Sequence, residues 1–162
     1  MNTSIGSLPA LAWRTCRFEE LTPRELQFIY MARQQVFVVE QACAYLDADG
    51  HDEAAWHIAA WAAGHGTPLA YARLIRPGVK YVEPSMGRVL TTEPARRLGL
   101  GRELVRRVIR HCAEVYPGQR LRISAQSRLE RFYETLGFDI VGTPYLEDGI
   151  PHTEMLQRVV TA

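Results

Sequence analysis

The chain has 162 residues, of which 47% are hydrophobic and 23% charged, the size and composition of one globular domain with a buried core. That excludes general disorder. Nineteen basic residues against eighteen acidic ones leave a net charge of +1, which favours neither a nucleic acid nor a membrane as partner.

Met1 to Leu11 lacks a basic start and a long apolar stretch, so it reads as an N-terminal tail over residues 1–11 and not as a signal peptide. No apolar run approaches the ~20 residues that span a bilayer; the expected location is cytoplasmic. Leu11 to Phe18 alternates as a first strand. Leu21-Thr22-Pro23-Arg24-Glu25 then starts a helix, with Thr22 as cap, Pro23 at the first helical position and Glu25 closing a capping box. Leu26, Ile29, Tyr30, Arg33 and Phe37 continue at helical spacing, and the helix ends in Val36-Phe37-Val38-Val39, before Glu40.

Gln41 to Glu53 is polar and acidic and reads as a solvated loop. Its Asp47-x-Asp49-Gly50-x-Asp52 fails as a calcium loop, because the glycine comes too early and the twelfth-position glutamate is absent. Ala54 to Ala63 and Leu69 to Ile75 form a hairpin around Gly64–Pro68, and Met86 to Thr92 is a further strand. A basic amphipathic helix runs from about Gly99 to Tyr116, with Leu104, Val105, Val108, Ile109 and Cys112 on its apolar face. Pro117-Gly118 stops it. Leu121 to Ala125 is a strand, Ser127 to Leu136 a helix closed by Gly137, and the tail to Val160 supplies two more strands on either side of Tyr145–Pro151. The order predicts an α/β (α+β-like) domain: a mixed, mostly antiparallel sheet flanked by helices, with one parallel strand pair.

Cys16, Cys43 and Cys112 are odd in number and form no CxxC pair, which excludes a disulfide framework and a zinc site of recognisable spacing. No metal is expected. The basic residues are eighteen arginines and the single lysine Lys80, and ten of the arginines fall between Arg96 and Arg131. Arginine's planar fork suits phosphate.

Arg96-Arg97-Leu98-Gly99-Leu100-Gly101 follows a strand and opens the basic helix. Glycines let backbone amides approach a ligand, and a helix N-terminus concentrates free N–H donors, so phosphate is the natural guest. A P-loop fails, because Arg102 stands where lysine is required. A dinucleotide fingerprint is weak, because Leu104 replaces a small residue and no acid follows about twenty residues on.

The segment resembles the R/Q-x-x-G-x-G/A element of the GNAT superfamily of N-acetyltransferases. Gln126-Ser127-Arg128-Leu129-Glu130-Arg131-Phe132-Tyr133-Glu134-Thr135-Leu136-Gly137-Phe138 resembles that superfamily's second motif, with Gln126 for its usual Asn and Leu129 for its usual Ala. Arg33 to Gln41, Tyr45 to Gly50 and Glu147 to His152 are similar to the ElaA-like branch. The resemblance covers roughly Trp13 to Val160 and implies one domain over residues 1–162, with the parallel pair splayed around an acetyl-CoA site.

The resemblance implies that Val89, Leu90 and Thr91 bond the pantetheine arm through their main chain. The amides from Arg97 through Leu98, Gly99, Leu100 and Gly101 to Arg102 would hold the pyrophosphate. Arg96, Gln126 and Tyr133 complete the acetyl-CoA contacts. Tyr133 would protonate the leaving thiolate, since a phenol of pKa about 10 holds its proton at neutral pH. The acceptor amine must lose a proton, and Glu40 or His152 would take it, directly or through water. The expected reaction is direct acetyl transfer to a primary amine of a small molecule or peptide, through a tetrahedral intermediate. A non-catalytic acyl-CoA-binding or regulatory module on the same scaffold is the alternative; nucleic-acid binding by the arginine helix ranks below both. Acids in the groove suit a cationic amine. Oligomeric state stays open, although a homodimer is common among such proteins.

Overall fold

A computed structural model describes residues 10–158; the tail over residues 1–9 and the last four residues lie outside it. Eight strands form one sheet: β1 (Leu11–Arg17), β2 (Ala55–Ala62), β3 (Ala70–Ile75), β4 (Ser85–Thr91), β5 (Arg122–Gln126), β6 (Phe138–Ile140), β7 (Tyr145–Glu147) and β8 (Ile150–Gln157). Their spatial order is β1-β2-β3-β4-β5-β8-β6, with β7 also on β8, and every pairing but β4–β5 is antiparallel. The expected mixed sheet with one parallel pair is the one observed.

Three helices flank the sheet: α1 (Pro23–Arg33), α2 (Leu100–Val115) and α3 (Glu130–Glu134). The capping box holds α1 as the sequence implies. Glu25 N–H donates to Thr22 Oγ1 at 3.2 Å, and Thr22 N–H donates to Glu25 Oε2 at 2.8 Å. After Arg33 the helix widens to π geometry over Gln34–Glu40, a bulging often found near functional sites. It ends at Glu40, one residue beyond the end expected from the sequence.

The apolar stripe of α2 buries Leu104, Val105, Val108 and Cys112 against one face of the sheet, where Leu74, Met86 and Ile123 meet them. Each such side chain contributes roughly 1.5–3 kcal/mol on burial. The opposite face packs Ala59, Tyr71 and Leu90 under Ile29, Ala32 and Val36 of α1 and its π extension. Of the helix's arginines, Arg106 and Arg110 are exposed, while Arg107 lies over the Trp13 ring at 4.3 Å.

Two expectations need correction. The tail supplies three strands, because Tyr145–Glu147 is itself a strand joined to β8 by Asp148-Gly149. Both turn residues have positive φ, 49° and 77°, the pattern of a two-residue primed hairpin turn. The acidic loop is solvated only in part: Leu46 and Ala48 to Gly50 are exposed, but Asp47 and Asp52 are buried, at 6% and 4% exposed.

Candidate active site

The parallel strands β4 and β5 pair only at Ser85–Arg122 and Met86–Ile123, then part. A cleft of about 670 Å³ occupies the gap. The far edge of β4 stays paired to β3 at Leu90–Tyr71 and Thr91–Ala70. The near edge from Val89 to Thr91 turns its main-chain groups toward the cleft, ready for an extended guest. Val89, Leu90, Ala125, Leu129 and the Tyr133 ring give that part of the cleft apolar walls.

Just beyond Thr91 stands the N-terminus of α2. Its cap is Gly99, whose φ of +79° lies in the left-handed region glycine alone adopts freely, and no side chain caps the helix. The first intrahelical bond runs from Glu103 N–H to Gly99 C=O, so the preceding amides have no helical partner. A Cβ on Gly101 would lie 3.8 Å from Thr91 Cγ2 and 3.9 Å from Phe132 Cζ, ordinary contact distances that place the helix start beside the end of the strand. Arg96 and Arg97 are exposed around this terminus. Arg102 in the first turn donates to Thr135 Oγ1 at 3.2 Å and lies 5.7 Å from the Phe132 ring centre. An uncapped terminus of a 16-residue helix beside arginines fits a pyrophosphate, and an open strand edge over apolar walls fits a pantetheine arm.

Tyr133, Glu40 and His152 all line the one cleft, as do Arg96 and Gln126. Tyr133 is 5% exposed and edge-on to Phe132 and Phe138 at 5.1 and 5.9 Å. Burial pushes its phenol well above the ordinary tyrosine value. Glu40 ends the π segment and is ion-paired with Arg96, which also donates to Thr91 C=O at 3.3 Å. The pair ties the α1 side of the cleft to the entry of the glycine loop. Gln126 donates to Gln41 Oε1 at 3.0 Å and accepts from Arg128 Nε at 2.9 Å.

His152 directs Nδ1 at the Ile150 carbonyl, 2.8 Å away. A carbonyl only accepts, so Nδ1 carries the proton and the neutral ring keeps its lone pair on Nε2. That atom lies 3.8 Å from Glu147 Oε2, and the same carboxylate oxygen accepts from Ser124 Oγ at 3.3 Å. Ser124 is further bonded to Tyr145 Oη. Ser124 and Glu147 thus join the candidate site although no sequence motif assigns either of them a role. The Asp148-Gly149 turn folds β7 back on β8, and that turn was the available signal.

The acidic loop forms the opposite wall. Arg33 Nε and Nη1 donate to Asp47 and Asp52 at 2.8 and 2.7 Å. Arg73 donates to both oxygens of Asp49 and to Asp52. Arg88 stands at a bulge between β3 and β4, with φ of 52°, and pairs with Asp47 at 2.8 Å and Asp49 at 3.3 Å. Three arginines therefore face three aspartates. The aspartates of this loop are therefore already paired with arginines and leave little charge to draw a cationic amine.

A sequence-family model for the Acetyltransferase (GNAT) domain matches residues 31–158. The chain belongs to the GNAT acetyltransferase family. It is 44% identical to a UPF0039 protein of Synechocystis sp. over 91% of this chain and 95% of that one. It is 33% identical to Protein ElaA of Escherichia coli, over 94% and 99%. The structure of an Acyl-CoA N-acyltransferase from Pseudomonas aeruginosa superposes with a TM-score of 0.87 at 36% identity, covering 92% of this chain and all of that one. Escherichia coli ElaA superposes with a TM-score of 0.84 at 32% identity and the same coverage. The chain is an ElaA-like GNAT protein and an acyltransferase. Among the described residues no cluster of three or more His, Cys, Asp or Glu side chains could hold a metal ion, and no helix is long and apolar enough to cross a membrane.

Proposed function

We propose that this GNAT protein moves an acetyl group from acetyl-CoA directly to a primary amine of a small molecule or peptide. The observation that carries this reading is convergence. An open strand edge, an uncapped helix N-terminus and a buried phenol meet at one cleft where the sheet splits.

In this reading Val89 to Thr91 hold the pantetheine arm, and the amides from Arg97 to Arg102 hold the pyrophosphate. Arg96, fixed by Glu40, closes the mouth between them. An alkylammonium of pKa near 10.4 is no nucleophile, so the acceptor gives its proton to His152 Nε2, with Glu147 beside it to stabilise the imidazolium. Nitrogen then attacks the thioester carbon. As the carbon–sulfur bond breaks, the Tyr133 hydroxyl donates its proton to sulfur; the carbonyl reforms as an amide whose nitrogen gives its second proton, through water, to the Tyr133 phenolate, and the His152 imidazolium releases the first to solvent. Glu40, bound to Arg96, serves as a positioning residue rather than the base.

The test is release of free thiol from acetyl-CoA across a panel of primary amines. Amine-dependent release supports the reading. Tight acetyl-CoA binding without turnover of any amine overturns it in favour of a binding module.

A further inference from the structure

The end of the cleft farthest from the helix terminus holds two buried polar atoms with no hydrogen-bond partner among the described residues: Arg73 Nε and Ser85 Oγ. Arg73 is 1% and Ser85 3% exposed, yet both line the cleft. Strand register explains their meeting. Arg73 pairs with Gly87 and Ile75 with Ser85 across β3 and β4, and side chains two apart share a face. Arg73 and Ser85 are diagonal neighbours on the α1 side of the sheet. Gly87, between them, leaves the approach to Nε bare: a Cβ built there has Arg73 Nε at 4.0 Å as its nearest neighbour.

The guanidinium is held rigidly for this purpose. Its two terminal nitrogens already donate to Asp49 and Asp52, which fixes the plane of the group, while Nε–H has no partner among the described residues. A buried donor left unpaired costs about 1–3 kcal/mol, and a fixed one beside a hydroxyl makes a two-donor cradle for an oxygen. We propose that the acceptor substrate carries, besides its amine, a carboxyl-type oxygen that accepts from Arg73 Nε–H and Ser85 Oγ–H. The substrate class is then amino acids and their carboxamides, peptide-like molecules included, rather than simple alkyl polyamines. Because three aspartates already balance Arg33, Arg73 and Arg88, a neutral carboxamide is expected to serve nearly as well as a carboxylate. This inference deepens the acyl-transfer reading and rests on it for the amine.

The experiment compares amine sets that differ only at the carboxyl: phenylalanine, phenylalaninamide and phenethylamine; leucine, leucinamide and isoamylamine; γ-aminobutyrate and propylamine. Thiol release gives kcat/KM for each, and calorimetry on the CoA complex gives affinity independently of turnover. The carboxyl and carboxamide members should exceed the bare amine by about 10- to 100-fold in at least one set. Ser85→Ala and Gly87→Ala should bring that ratio towards one. The alanine methyl at position 87 meets Nε at ordinary contact distance, so it shields the donor without touching the ion pairs; unchanged circular dichroism and melting temperature check that the variants fold.

Amine turnover with equal preference for all members overturns the inference and leaves acyl transfer standing. A preference that survives both variants but disappears in Lys80→Ala assigns the recognition to the cleft's lysine and overturns it too. If no amine turns over, calorimetric discrimination between members still supports the cradle, and its absence overturns it.

Discussion

At the scale of single residues, Tyr133 is where sequence and structure agree most closely. Its place between Phe132 and Phe138 was legible because a phenol followed by a glycine stop is a local pattern. Its burial raises the phenol's pKa, so the proton an acid needs is on the oxygen at neutral pH. Tyr133→Phe keeps the ring and its edge-on contacts and removes the donor alone. Turnover is expected to fall about 10²–10⁴-fold, with acetyl-CoA affinity by calorimetry and melting temperature nearly unchanged. Equal turnover by both proteins across pH would remove Tyr133 from the chemistry. Glu40 shows the opposite case. Its position at the groove could be read from the helix pattern, but its partner Arg96 is 56 residues away, and no spacing rule connects them.

The loop from Gln41 to Glu53 shows the same limit at the scale of an element. An Asp- and Gly-rich stretch looks like solvated turn chemistry, since the residues that bury it lie 14, 24 and 39 positions away in Arg33, Arg73 and Arg88. The capping box of α1 and the glycine cap of α2 were readable because each is complete within a few residues. Pairing of the loop's aspartates with buried arginines has a consequence for stability. Asp49 and Asp52 are held below the usual carboxylate range: burial alone would raise them, and the guanidinium partners outweigh it. Buried His57, whose ring nitrogens meet Tyr71 Oη at 2.8 Å and the Asp52 carbonyl at 3.0 Å, is also lowered, chiefly by burial. In both cases the unfolded chain binds protons that the folded one refuses, so stability rises with pH. As pH falls below about 6.5 the His57 contribution is lost first, and below about 3.9 the aspartate contribution follows. Melting temperature should therefore fall in two stages on acidification. His57→Gln should flatten the first. Asp52→Asn should weaken the second and cost about 3–5 kcal/mol at neutral pH by chemical denaturation, because it leaves Arg33 and Arg73 short of a buried partner. A melting temperature constant from pH 7 to pH 4 would contradict this account.

For the molecule as a whole, the sheet consists of two halves that meet at only two residue pairs. The first half holds β1 to β4 with α1 and α2; the second holds β5, β8, β6 and β7 with α3. The strand order was within reach of the sequence, since hairpins and a parallel crossover leave few arrangements. The width of the split was not, because it depends on where β4 and β5 stop pairing. A ligand filling the cleft bridges both halves, and a ligand that binds only the folded state stabilises it by mass action. Acetyl-CoA at a hundred times its dissociation constant should add about 2.7 kcal/mol, which for a chain of this size raises the melting temperature by roughly 5–11 °C. ADP separates the two parts of the proposed site, because it carries the pyrophosphate and lacks the pantetheine arm. It should engage the start of α2 alone. Its Kd need not equal that of acetyl-CoA, so both are compared at saturation, and the decisive readout is hydrogen exchange. With acetyl-CoA, amides from Val89 to Thr91 and those at the start of α2 should both gain protection; with ADP, only the latter should. Protection of the β4 edge by ADP, or none there with acetyl-CoA, would mean that the gap between β4 and β5 is not the channel for the arm.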